Sequence, residues 1–145
     1  MPNTQLLEEL RFVNSANNSA AGVTDVTPAA RIDMQGFHGV LLLAKIGTID
    51  ATGTVTFTAR SAATDVAGAK LALIATLADT DDDSWVALDL RDPDERFVDW
   101  IIERGVANSE VDAVLAIPYR ANSLPITQAA ADIAASTTAV RPAKQ

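Results

Sequence analysis

Residues 31–60 read RIDMQGFHGVLLLAKIGTIDATGTVTFTAR, and the parsing of this stretch decides the fold. Val40 to Ile46 is a near-continuous apolar run. A loop bracketed by Gly47 and Gly53 follows. Thr54 to Arg60 then alternates, with Val55, Phe57 and Ala59 on one face and Thr54, Thr56, Thr58 and Arg60 on the other. A period of two is the signature of a half-buried strand. The two runs therefore read as β-strands joined as a hairpin. Apolar residues on both faces of Val40–Ile46 predict a strand covered on both sides. One cover is the domain core; the other is a second layer or a neighbouring subunit. On this reading Leu41→Asp or Leu43→Asp breaks assembly as well as folding.

Outward from this pair, more strands follow at short spacing. Ala30–Met34 reads as a short strand and Gln35-Gly36 as a turn. Leu71–Leu77 and Trp85–Leu90 read as strands, the second with Trp85, Ala87 and Asp89 opposite Val86, Leu88 and Leu90. Glu95–Arg104 alternates with Val98, Trp100 and Ile102 on one face; its β-branched and aromatic content favours a strand over a helix closed by Gly105. Val111–Tyr119 is the last strand, with Pro118 marking its end or an edge position. Gln5–Val13 is open between a short helix, with Leu6, Leu7, Leu10 and Val13 at helical spacing, and a strand over Leu10–Val13. Asn14–Ser19 ends either element, because Asn and Ser compete for backbone hydrogen bonds. From Gln128 the chain is an Ala/Thr/Ser-rich arm, with a helix over Gln128–Ala135 as the alternative.

Six to eight strands without regular β-α alternation imply an all-β fold: a β-sandwich or jelly-roll-like domain with extended N- and C-terminal arms. The division is 1–22 as an N-terminal arm or short helix, 23–127 as the β-sandwich domain and 128–145 as the C-terminal arm.

At 145 residues one domain is expected. The absence of cysteine removes disulfides, thiolate nucleophiles and Cys-based zinc sites. The net charge of −8 disfavours nucleic acid and anionic membranes as partners. The apolar runs are too short to span a bilayer. Met1–Phe12 has no basic n-region and no apolar h-region, so it does not read as a secretory signal, and synthesis in the cytoplasm is expected.

Chemistry is sparse. His38, the single histidine, stands at a strand entrance with no G-x-S-x-G elbow in the chain to partner it. Asp79-x-Asp81-Asp82-Asp83 is the best candidate for a hard cation, but an EF-hand count from Asp79 places Ser84 and Leu90 where glycine and glutamate belong. It reads instead as a solvated loop that keeps strand edges from pairing. Asp92, Asp94 and Glu95 surround a proline turn. Arg91, Arg96 and Arg104 read as surface ion pairs. Gly36, Gly39, Gly47 and Gly53 are spaced for turns and bends and do not form a phosphate cradle. Trp85 and Trp100 sit in apolar strand patterns, which suits core or subunit-contact roles. No enzyme activity and no cofactor are expected.

Three segments together resemble a family of small structural proteins encoded by tailed bacteriophages near the major capsid gene. Ile32-Asp33-Met34-Gln35-Gly36-Phe37-His38-Gly39-Val40-Leu41 resembles its D-x-x-G-aromatic approach to a strand. Ile46-Gly47-Thr48-Ile49 with Thr52-Gly53-Thr54-Val55-Thr56-Phe57 resembles its hairpin. Val86-Ala87-Leu88-Asp89-Leu90 with Arg96-Phe97-Val98 resembles a strand pair, although Asp99 stands where that pattern has a basic residue. The resemblance spans about Ile32–Pro125. It implies a structural virion protein, a head decoration (cement) protein on the capsid surface that binds the major capsid protein, commonly as a trimer. The alternatives are a virion-associated carbohydrate or host-surface binding module, or a minor tail or neck protein. Candidate subunit or capsid contacts are Leu41, Leu43, Trp85, Trp100, Gln128 and Arg141.

Overall fold

The structure, a computed structural model, describes residues 9–64, 70–123 and 126. The readings made for Gln5–Glu8 and Gln128–Ala135, and the candidates Gln128 and Arg141, lie outside these residues. The strands in chain order are β1 (Val13–Ala16), β2 (Ser19–Gly22), β3 (Ile32–Asp33), β4 (Phe37–Ile49), β5 (Thr54–Ala62), β6 (Lys70–Ala78), β7 (Trp85–Arg91), β8 (Phe97–Gly105) and β9 (Ser109–Ala121). They form two antiparallel sheets. Sheet A has the order β1-β9-β4-β7, with β2 also paired to β9, and sheet B has the order β3-β8-β5-β6. Apart from β1–β2 and β5–β6, every connection crosses from one sheet to the other. With β1 and β2 acting as one interrupted edge strand, this winding is a jelly roll.

The expected hairpin in residues 31–60 is therefore wrong in one respect. Both strands exist, but β4 belongs to sheet A and β5 to sheet B. Val40, Leu42, Ala44 and Ile46 of β4 face the interior, as do Val55, Phe57 and Ala59 of β5, and all are fully buried. Two strands with one apolar row each can bury those rows against each other only by lying in opposite layers. The connecting loop Asp50–Gly53 is closed by the Gly53 N–H donating to the Asp50 carbonyl at 2.8 Å. Thr52 has φ 66°. A Cβ on Gly53 would stand 2.8 Å from that same carbonyl, so the crossing needs glycine there.

The acidic loop is not simply solvated. A 3₁₀ turn, Asp79–Asp81, leads from β6 towards β7, at the same end of the sandwich as the β4–β5 crossing. Asp79 Oδ2 accepts the Thr52 N–H at 2.8 Å, and Asp82 Oδ1 accepts the Ile49 N–H at 2.6 Å. The Asn108 carbonyl, from the β8–β9 crossing, accepts the Asp50 N–H at 2.8 Å. Each carboxylate thus satisfies a backbone donor that has left its ladder, the strong charge-assisted form of that bond.

Several smaller expectations change as well. Asn14–Ser19 does not end the strand region, because Val13–Ala16 and Ser19–Gly22 both pair with β9. Polar residues suit this edge, where only one face is buried. Pro118 lies on a strand with partners on both sides, within β9 opposite Val40, and its carbonyl accepts the Arg11 N–H. Gly39 and Gly47 are interior to β4 and not turn residues. Arg104 is not a surface ion pair. Its side chain points into the sandwich, is 5% exposed, and donates to the carbonyls of Thr24, Ala20 and Ser109. Asp99, the departure from the resembled pattern, is directly opposite Arg60 and binds it at 2.8 Å and Arg31 at 3.2 Å.

Candidate interaction surface

Antiparallel registers place residues on a common face. On the outer side of sheet A, Leu41 lies beside Ile117 on β9 and Asp89 on β7; Leu43 lies beside Leu115 and Ala87; Lys45 lies beside Ala113 and Trp85. The result is an apolar centre of Leu41, Leu43, Leu115 and Ile117, continuing through Ala87 and Ala113 to Trp85. An antiparallel sheet with one solvated face ordinarily carries polar residues there. The leucines are half-buried, and Trp85 is 63% exposed. The outer side of β4 is thus only half-buried in the single chain, with Ile117 beside it 9% exposed, whereas the inner row is fully buried.

One rim of this centre is built by Tyr119. Its ring lies across Gly39, where a Cβ would come within 2.3 Å of the ring, and its hydroxyl donates to Asp89 Oδ1. The side chain starts on β9 and reaches β7, so it straddles all three strands. A glycine covered by a cross-strand aromatic pins the register of a sheet. Burial pushes the Tyr119 phenol above its ordinary pKa, and the Asp89 carboxylate adds to the shift.

The outer side of sheet B differs. Thr54, Thr56, Thr58 and Arg60 of β5 lie beside Glu103, Ile101 and Asp99 of β8 and Thr76 and Ile74 of β6. At its edge, Asp33 takes a bidentate pair from Arg96 at 2.9 and 2.7 Å. That hydrogen bonding holds the Asp33 carboxyl below the usual carboxylate value and raises the Arg96 guanidinium.

The histidine expectation can be placed. His38 is half-exposed at the start of β4, with Nε2 2.7 Å from Asn122 Oδ1 and Nδ1 3.3 Å from Asp92 Oδ1. It borders an open cavity of about 420 Å³ shared with Asp92, Asp94, Glu95 and Arg96. An amide and a carboxylate hold the ring, and neither is a nucleophile of the kind a hydrolase triad uses. Among the described residues, no group of three His, Asp or Glu side chains is placed to hold a metal ion, and no helix is long and apolar enough to cross a membrane.

Of the candidate contacts, the structure brings Leu41, Leu43 and Trp85 together on one face. Trp100 lies in the core. It is fully buried, meets Phe57 edge-on with ring centroids 6.0 Å apart, and donates its indole N–H to Ser15 Oγ at 2.7 Å. Leu115, Ile117, Ala113 and Ala87 complete the face and were not singled out from sequence. The available signal was Ala113, Leu115 and Ile117 alternating with the equally apolar Val114 and Ala116, the same two-faced pattern as Val40–Ile46.

No protein-family model matches the chain, and no curated protein matches it either. Among solved structures, a chain from Bacillus endospore appendages, which form a family of disulfide-linked pili, is 18% identical. The match covers 82% of this chain and 93% of that one, with a TM-score of 0.49. The Eiger TNF from S. frugiperda is 12% identical over 84% of this chain and 92% of its own, with a TM-score of 0.39.

Proposed function

We propose that this is a structural protein that docks through the outer face of sheet A, and that it is a phage head decoration protein that bridges capsid subunits as a homotrimer. The observation that carries the docking role is the apolar centre around Leu41, Leu43, Leu115 and Ile117 on a face that a free domain would make polar. The phage assignment rests on the motif resemblance in Ile32–Pro125. The major capsid protein is then the partner and the virion surface the location. The test is co-sedimentation with expanded phage heads. The native protein is expected to pellet with the heads, Leu41→Asp to stay in the supernatant but, unlike the sequence-based expectation, still folded because Leu41 lies outside the fully buried row, and Thr56→Asp on sheet B to behave as native. Failure of the native protein to bind heads at any concentration sinks the phage assignment. Equal binding by Leu41→Asp sinks the docking face.

A second reading has one observation in its favour. Trp85 offers an exposed aromatic surface, the feature on which a sugar ring stacks in a carbohydrate-binding module. It predicts that Trp85→Ala abolishes binding to a glycan array while leaving head binding intact.

A further inference from the structure

Strand β6, at one edge of sheet B, is finished differently from the other edges of the sandwich. An open strand edge is a template for another strand, and proteins blunt it with short strands, bulges or charge. β3 is a two-residue strand, β1 and β2 have register shifts, and β7 carries Asp89 and Arg91. β6 is nine residues long, and Leu71–Ala78 holds no charged side chain. Among the described residues it pairs with β5 alone. Leu71 and Ile74 on it are 67% and 58% exposed. We propose that β6 pairs with β6 of a second copy, antiparallel, about a two-fold axis at Ala75. This contact is separate from the outer face of sheet A and does not rest on its docking role.

The backbone selects the register. Ile102 exchanges both amide bonds with Val26, so its backbone groups face away from β5. Phe57, opposite Ile102, therefore turns its own groups towards β6, where it meets Ala75. By alternation, the N–H and C=O groups of Ile74 and Thr76 face the open edge. So does the Ala78 N–H, which donates to Asp81 Oδ2 at 2.9 Å and is spent there. The other end of the window is closed by the register shift at Ala59 and Arg60, where β6 carries Ala72 as an extra residue. Ile74 and Thr76 lie between these two stops. Centring the axis on Ala75 sets each Ile74 opposite Thr76 of the other copy, which uses both residues of both chains. The side chains agree with that register. Leu73 falls opposite Leu77 of the second copy, and these half-buried residues, packed against the core, continue its row into the neighbouring domain. Lys70, with its side chain 72% exposed, comes to the Asp79–Asp81 turn of the second copy. That pairing offsets the repulsion between two chains of net charge −8.

A single edge-to-edge contact is narrower than the ~800 Å² per partner of a stable interface, so covalent trapping reads it better than a mass measurement. The chain has no cysteine, so one introduced thiol reports one place. On the axis, Ala75→Cys meets its own copy with Cα atoms about 4.5 Å apart, within disulfide reach. With oxidised glutathione as oxidant, the full-length variant is expected to form a covalent dimer on a non-reducing denaturing gel at least tenfold faster than Thr56→Cys, a half-buried position away from the edge. Adding Ile74→Lys, a charge at an exposed position, is expected to lower the rate to that of Thr56→Cys while the near-UV circular dichroism stays native. An equimolar mixture of Ile74→Cys and Thr76→Cys chains, both at exposed positions, is expected to cross-link faster than either chain alone. Equal rates for Ala75→Cys and Thr56→Cys overturn the pairing. So does an Ala75→Cys rate that Ile74→Lys leaves unchanged, which would mark collision without a strand contact. A mixture no faster than its components overturns the register at Ala75.

Discussion

The two outer faces of this sandwich are built by the same strand grammar and distribute their apolar and charged residues differently. Sheet B turns a threonine row outward together with Ile101, Ile74 and Leu71, beside Arg60–Asp99–Arg31 and Arg96–Asp33 pairs. Sheet A turns leucines, an isoleucine and a tryptophan outward. Both sheets turn an apolar row inward, sheet B's interrupted by Arg104, so core formation does not require this difference. On sheet B the outer apolar residues are interrupted by threonines and ion pairs, whereas on sheet A they run together across β9, β4 and β7.

The sharpest way to break the comparison is within β4, where neighbouring leucines face opposite ways. Leu42→Ala is expected to cost about 2–5 kcal/mol, the range for a fully buried leucine. Leu43→Ala should cost less than about 1 kcal/mol in the isolated protein, for want of a cavity to leave. Urea unfolding of the pair checks both. Equal losses would mean that sheet A is covered on both sides by the domain itself. On sheet B, the corresponding weak point is electrostatic. Asp99 is 5% exposed and faces two guanidinium groups. Asp99→Ala leaves them without their carboxylate and is expected to cost about 3 kcal/mol, as for other buried pairs broken on one side.

Smaller effects follow from titration. Tyr119 is the single tyrosine, so tyrosinate absorbance reports it alone. Its folded pKa is raised, so its contribution to stability is fully present below the unfolded value near 10 and is lost as pH rises through the folded value. The expected midpoint lies above that of a model tyrosine, and Asp89→Asn should bring it down. A native midpoint at or below 10 would show that the ring does not lie buried over Gly39. The smallest effect is expected on the edge of sheet B. The Asp33 carboxyl is depressed below 3.8, so its stabilisation is present above that value and disappears as pH falls through the folded pKa. Because the Asp33–Arg96 pair is largely exposed, Asp33→Asn should cost under about 1 kcal/mol at neutral pH and flatten the acid limb of a stability profile.

Strand existence was legible in the residues, because period-two patterning is local. Thr54–Arg60 and Trp85–Leu90 form the strands their alternation implies, and Glu95–Arg104 does so from Phe97 onward. Layer assignment was not legible. A hairpin and a crossing between sheets present the same two apolar rows joined by the same short loop, and only the pairing of β4 with β9 and β7 separates them. The two tryptophans make the same point. Both sit in alternating strands. Trp100 shares the parity of Val98 and Ile102, which face inward, and Trp85 shares the parity of Ala87 and Asp89, which do not. The acidic loop was read by composition, and composition does not reveal that Asp79 and Asp82 would meet the amides of Thr52 and Ile49. The apolar outer face of sheet A was half legible: Leu41 and Leu43 stood out on β4, but their neighbours on β9 and β7 become neighbours only through the register.

The same two tryptophans provide the most direct measurement. Trp100 is buried whatever happens outside the domain, and Trp85 lies on the outer face of sheet A. Acrylamide quenching of tryptophan fluorescence therefore separates an accessible and an inaccessible fraction in the free protein. On docking, the account predicts that the accessible fraction disappears and that the change is absent in Trp85→Phe. A Trp85 that stays fully quenchable in the assembled particle would contradict the claim that this face carries the contact.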